Sequence, residues 1–385
     1  MLFSTTLLAS IVSLALAAPS TPKVVTFPVT KHHRDSKFAQ AHLHTRQTPV
    51  SIANQQDYYS IALGLGTPVQ NFNVLLDTGS SDLWVYNVTD TNDCKKGGCA
   101  FTGQYNDALS SSYVFLNDDY SIHYVSGSAY GNWGTETLTV GDITLEGFQF
   151  ACANNAGGQV GVMGISVEND ESIQPYQNTY PNFPVALQNA GYIDRLVYSL
   201  YLDSQTATSG TFLLGGIDYA KFSGSLVYLP LADSGGMDLN YNSISYNGKD
   251  YAGSGTATLD SGTSYTYIPD QAFQALASAL KLGALSTGGT GLNYIDCDSD
   301  VTIEFGFEGV TIVAQSSQLV IPESDGKCVF GIQSDSQSEG YDLFGDTFLR
   351  NAYVVYDLQD SVIGLAQAEY TTSSNIQPVT GPLGN

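Results

Sequence analysis

Positive charge is what this sequence most lacks. It has 13 Lys and Arg against 37 Asp and Glu, a formal −24 over 385 residues, a balance that argues against nucleic-acid binding and against an anionic membrane surface. Histidine is scarcer still. Four of the five (His32, His33, His42, His44) fall in one short stretch, so His123 is the only one in the remainder. It has no partner motif, which leaves Ser-His-Asp and Cys-His catalysis without support, and no metal-ligand spacing occurs. Sulfur is sparse too, with five cysteines. In a secreted chain two pairs are expected: Cys94 with Cys99 across a tight loop, then Cys297 with Cys328. Cys152 is left over as a small buried hydrophobe. After the first 18 residues no apolar run is long enough to span a membrane, and the polar ending "TTSSNIQPVTGPLGN" is no lipid-anchor signal. A soluble product with no membrane anchor is expected.

What is present reads as strand. The chain is 43% hydrophobic with 39 Gly and 25 Tyr, the balance of a folded, turn-rich β protein large enough for two cored domains. Segments such as "YYSIALGLG", "SIHYVSG", "ETLTVGDITLEGFQF" and "RLVYSLYLD" alternate Tyr, Val, Ile and Thr with polar residues and end at Gly, Asn or Asp. Helix is expected only over "FPVALQNAG" and "DQAFQALASALKLG". The class is all-β.

Charge is also divided along the chain. Residues 1–17 form an apolar stretch closed by small residues, the pattern of a secretory signal cleaved after Ala17 or Ala18. Residues 18–46 hold five bases (Lys23, Lys31, Arg34, Lys37, Arg46) and one acid, Asp35, whereas from residue 47 onward eight bases face 36 acids, a formal −28. A basic leader before a very acidic body reads as a pro-segment held by charge, with maturation near Gln47. "NVT" at Asn87 is a candidate glycosylation site.

One pattern occurs twice. "NVLLDTGSSDLWV" (73–85) and "ATLDSGTSYTYI" (257–268) each place an acid where a buried strand should be ending, followed by a Gly turn. Later in each half an apolar pair precedes Gly, in "GVMGIS" (161–166) and "YDLFGDTFL" (341–349). Two halves of one plan, 47–207 and 208–370 before a polar tail at 371–385, invite a two-fold arrangement with equivalent strand ends meeting at a central cleft. Asp77 and Asp260 would then face each other. Two carboxyls that close share one proton, leaving a base to activate water and an acid to protonate the group attacked.

With these residues the sequence resembles the pepsin-like aspartic endopeptidases, most of all the secreted fungal candidapepsin group. The resemblance runs from about residue 57 to 376 and is closest in "YSLYLDSQTATSGTFLLGGIDYAKFSG" and "FGDTFLRNAYVVYDL". It implies a bilobal β fold with Asp77 and Asp260 as the catalytic pair and no cofactor or metal. Thr78, Gly79 and Ser80, with Ser261, Gly262 and Thr263, would support the pair. Tyr124 in "SIHYVSGSAYGNWG" matches the tyrosine of the family's flap, a hairpin folding over substrate, and Trp84 matches its partner. Where many relatives have Gly and then Asp after that tyrosine, this chain has Val125 and Ser126. A β-branched residue resists positive φ, so a differently shaped tip is expected, and no carboxylate is offered to a basic substrate side chain.

The resulting expectation is a secreted, monomeric aspartic-type endopeptidase. It would be restrained by its own pro-segment and would cut protein and peptide substrates in acid, beside large apolar residues. The alternatives are a yapsin-like processing peptidase specific for basic sites and an inactive pepsin-fold protein that only binds.

Overall fold

The computed structural model describes residues 23–33, 57–90, 99, 101–125, 127–157, 160–173, 178–232, 236–283, 292–323 and 326–384. The expected signal, most of the basic leader, Cys94 and Ser126 lie outside these residues. Strand accounts for 51% of the structure and helix for 11%, so the expected all-β class holds.

The first Asp-turn owes its position to how its strand is paired. Along Gln70–Asp77 the pattern begins as alternation, with Phe72 and Val74 buried, and ends as the buried run Val74–Asp77. One edge pairs antiparallel with Asp57–Leu65, and the other lies parallel to Val162–Gly164, with Asp77 opposite Gly164. A strand enclosed in this way has no solvent side on which to place polar residues, hence the apolar run up to the acid. The second half repeats the plan: Gly255–Leu259 runs parallel to Leu343–Phe344, and Asp260 donates its amide to the Phe344 carbonyl at 3.2 Å. Gly164 and Gly345 are the crossing points. A Cβ on Gly164 would lie 2.5 Å from the Ser80 carbonyl carbon, and one on Gly345 would lie 2.2 Å from the Thr263 carbonyl oxygen. Only glycine lets the two Asp-turns pass this close to the strand beside them.

A 14-stranded sheet links the halves. In it the hairpins Val197–Tyr201 with Ser209–Leu214 and Ala352–Asp357 with Val362–Ala368 lie side by side. Part of the basic leader joins them, because strand Val25–His33 is inserted between Ser209–Leu214 and Asp57–Leu65. At the far edge Val114–Tyr124 and Gly127–Val140 form a long hairpin.

Both expected helices occur. Phe183–Asn189 is capped by Asn182, whose side chain accepts from Val185, and carries Pro184 in its first turn. Asp270–Leu280 buries Ala272, Phe273 and Leu276 on one face and stops at Lys281, in the left-handed region at φ 54°. The C-terminal tail is docked rather than loose: Ile376–Pro378 pairs with Gly216–Asp218, and Val379 is buried.

Cys297 and Cys328 are joined, with Cα atoms 5.2 Å apart. Cys99 is disulfide-bonded; its expected partner, Cys94, is outside the described residues. Cys152 is free and buried, its thiol pushed up to about 12 by burial. Asn87 is buried as well. Its Nδ2 donates to Cys152 Sγ at 3.1 Å and its Oδ1 accepts from Thr89, so the atom that would carry a glycan faces into the protein.

Candidate active site

The two Asp-turns meet at the boundary between the halves. Gly79 donates its amide to Asp77 Oδ1 at 2.8 Å and Gly262 to Asp260 Oδ1 at 2.7 Å. Ser80 Oγ donates to Asp77 Oδ2 at 2.5 Å, and Thr263 Oγ1 donates to Asp260 Oδ2. Each carboxylate is thus oriented by one backbone amide and one hydroxyl, the same way in both halves. A Cβ on Gly79 would be 2.8 Å from Asp260 Oδ1 and 3.2 Å from Asp77 Oδ1, so both oxygens face one point. The Asp77 and Asp260 carboxyls are therefore close neighbours. Burial, and after it the charge of Asp260, pushes the Asp77 carboxyl well above the usual carboxylate range.

The turns also clasp one another below the acids. Thr78 Oγ1 donates to the Leu259 carbonyl at 2.6 Å, and Ser261 Oγ donates to the Leu76 carbonyl at 2.8 Å. All four groups are buried, so each bond satisfies atoms that would otherwise be costly to desolvate.

Above the pair, Tyr124 receives the indole N–H of Trp84 at 2.9 Å. Burial, then the charges of Asp77 and Asp82, pushes its phenol well above the ordinary tyrosine value. Val125 is not among the positive-φ residues, so this β-branched side chain carries no left-handed strain. Ser126 is outside the described residues. Among the described residues no group of acids, histidines and cysteines could hold a metal ion.

A match to the eukaryotic aspartyl protease model spans residues 58–368. The chain belongs to that family. It is 33% identical to candidapepsin-3 of Candida albicans (strain WO-1), over 96% of this chain and 98% of that one. Secreted aspartic protease 8 of C. albicans is 36% identical, over 85% of this chain and 80% of the relative, and an acid protease of Saccharomycopsis fibuligera is 35% identical over 83% of each. The crystal structure of aspartic proteinase from Irpex lacteus superposes with a TM-score of 0.70, covering 91% of this chain and 99% of that one at 23% identity; it bears on the fold alone.

Two features of this aspartyl protease were not read from sequence. Asp82, fully buried beside the first turn, accepts from the Tyr180 hydroxyl at 2.6 Å and the Ser172 amide at 3.0 Å, and burial raises its pKa. Its signal was present in "DTGSSDLWV", a second acid directly ahead of an apolar run. The second is an ion cluster at the leader strand: Asp57 Oδ2 lies 2.9 Å from Lys31 Nζ and 3.1 Å from Arg350 Nη1, all three nearly or fully buried. Asp346, also buried, has no hydrogen-bond partner on either carboxyl oxygen among the described residues. Burial raises its pKa well above normal, against the pull of Arg350. The signal here was Arg350, a lone base in "FLRNAYVV".

Proposed function

We propose that this aspartyl protease is a secreted endopeptidase that hydrolyses internal peptide bonds of proteins in acid, using water activated between Asp77 and Asp260. The observation that carries the reading is the facing carboxyl pair, each member oriented by its own glycine amide and hydroxyl. Such a pair retains one proton where isolated carboxyls would both be charged, the known device of aspartic proteases. The charged carboxylate removes a proton from water as its oxygen bonds to the peptide carbonyl carbon, while the protonated carboxyl donates to the carbonyl oxygen. The resulting gem-diol collapses: one of its hydroxyls returns its proton to the now charged carboxylate as the C=O bond re-forms, the nitrogen takes the proton held by the other acid as the C–N bond breaks, and the acid and amine products leave the pair with its single proton. Activity should fall when the pair loses its last proton, which places the working range on the acid side. No cofactor enters this scheme.

The Val114–Tyr124 and Gly127–Val140 hairpin is read as the flap, with Tyr124 and Trp84 closing over an extended substrate. Val25–His33 is read as pro-segment, held by sheet pairing and by Lys31 on Asp57. Secretion is supported by the N-terminal signal pattern and by relatives named as secreted; among the described residues no helix is long and apolar enough to cross a membrane. The test is a peptide-library digest at acidic pH with and without a statine-type transition-state analogue. Cleavage abolished by the analogue is expected. An intact library would leave the binding-only alternative.

A further inference from the structure

The tip of the long hairpin touches the other half of the molecule. Tyr124 pairs with Gly127, which makes Val125 the first residue of the tip. Val125 is half-buried, and the residues that cover it belong to the C-terminal half: it packs on the apolar cluster of Tyr265, Tyr267, Leu292, Ile321, Val329 and Leu343. That shelf is held rigidly. Tyr265 follows the Asp260 turn by five residues, and Val329 sits in a three-stranded sheet whose strand Cys328–Phe330 is tied through Cys328 to Cys297. The preceding residue faces the opposite way, Tyr124 packing against the cluster that contains Trp84 and accepting its indole N–H. Adjacent residues thus fasten one hairpin to both halves, across the Asp77–Asp260 pair.

We propose that Val125 is a specificity-determining residue: a latch that closes the hairpin onto the C-terminal shelf in the free enzyme, and that in the complex closes instead on one apolar substrate side chain lying on that shelf. The proposal rests on reading the hairpin as the flap. A peptide reaching the acids must pass beneath the tip, so the valine contact has to part. Its apolar burial is recovered only if the incoming side chain is itself apolar; a charged one would be desolvated there without a partner. The selected substrates are therefore peptides with a branched aliphatic or aromatic side chain at the single position under Val125, and selectivity at other positions does not depend on this residue.

The experiment compares wild type with Val125→Gly, Val125→Ala and Val125→Leu, all carrying Trp133→Phe so that emission comes from Trp84. Acrylamide quenching of Trp84 reads hairpin opening in the free enzyme, and kcat and KM are measured for peptides varied one position at a time. Val125→Gly should raise the open population roughly fivefold, about what releasing half of a valine's burial is worth. It should also flatten the apolar preference at one position by a similar factor, expressed in KM rather than kcat, with Val125→Ala intermediate and Val125→Leu opposite in sign. Unchanged quenching, or a uniform loss at all positions, overturns the latch. Tyr124→Ala separates the two readings. If it abolishes activity while the Val125 series is flat, the flap stands and the latch fails; if it leaves activity and Trp84 quenching unchanged, the flap reading fails and takes the latch with it.

Discussion

Thr78 and Ser261 hold each other across the two halves. The Thr78 amide donates to Ser261 Oγ at 3.1 Å, and the Ser261 amide donates to Thr78 Oγ1 at 2.9 Å. The relation is reciprocal, so neither Asp-turn can shift without disturbing the other. Thr78→Val keeps the shape but leaves the Ser261 amide buried without its partner and takes the shorter of two bonds from the Leu259 carbonyl, which keeps only the Tyr356 hydroxyl at 3.3 Å. A loss of about 1–3 kcal/mol is expected, the cost of one such orphaned group. Because the pair above is then less well aligned, kcat should fall more than KM rises. Urea unfolding and steady-state kinetics check both parts; unaltered kcat would mean the clasp does not set the geometry of the acids.

Asp77→Asn or Asp260→Asn should each reduce kcat by about 10⁴ or more, since members of one catalytic unit fail together. The fold should survive, because asparagine is the same size: its Oδ1 can still accept from the Gly79 or Gly262 amide, and its Nδ2 can donate to the Ser80 or Thr263 hydroxyl once that hydroxyl turns to accept. Turnover near wild type by either folded variant would remove the pair from the mechanism.

Several acids make stability depend on pH. Burial pushes Glu171 up to about 8 and Asp342 up to about 6, and it raises Asp82, Asp170 and Asp346 as well. A carboxyl whose folded pKa is raised binds its proton more tightly in the native state. Its contribution is therefore complete below the unfolded value and is lost as pH climbs through the folded one. For Glu171 that window runs from its ordinary 4.5 to about 8. The protein should be most stable in acid and weaken toward neutrality. Glu171→Gln should leave stability at pH 4 nearly unchanged and raise it at pH 7.5, measured by urea midpoints; equal pH profiles for the two proteins would discount this acid.

The leader strand yields a maturation test. Acid protonates body carboxylates that face the basic leader, whereas the leader's histidines gain charge, so loosening must come from the acidic partners. Wild-type proform should mature unaided in acid, with a new N-terminus near Gln47, and the Asp77→Asn proform should not. Lys31→Met removes the ammonium from Asp57 and should let maturation proceed at a higher pH. N-terminal sequencing over a pH series reads both; unaided maturation of the Asp77→Asn proform would show that another peptidase makes the cut.

Cleavage should favour large apolar or aromatic residues flanking the bond and disfavour Lys and Arg, because Ser126 offers no carboxylate and an ammonium buried without a partner is costly. The chain's negative field attracts basic substrates, but salt and acid weaken it, so it affects encounter more than pocket choice. Mapped cuts at acidic pH mostly after Lys or Arg would favour the yapsin-like alternative. Ser126→Asp should move preference toward Lys.

Much of this protein was legible locally. An acid after an apolar strand, twice, with Gly two residues on, is a pattern that neither strand propensity nor a surface turn explains well, and it marked Asp77 and Asp260. Alternation marked the strands, and the two stretches expected to be helical contain the observed helices. What the sequence could not decide were partners far apart along the chain. Lys31, Asp57 and Arg350 form one ion cluster over hundreds of residues, Asp82 finds Tyr180 98 residues away, and Val125 finds a shelf built beyond residue 264. Burial fixes these choices, because a charge or hydroxyl removed from water must take whatever partner the packed chain brings within reach. Asn87 shows the same limit from the other side: its sequon is three residues long, but whether its nitrogen meets solvent or the Cys152 sulfur was settled by the packing of strand against strand.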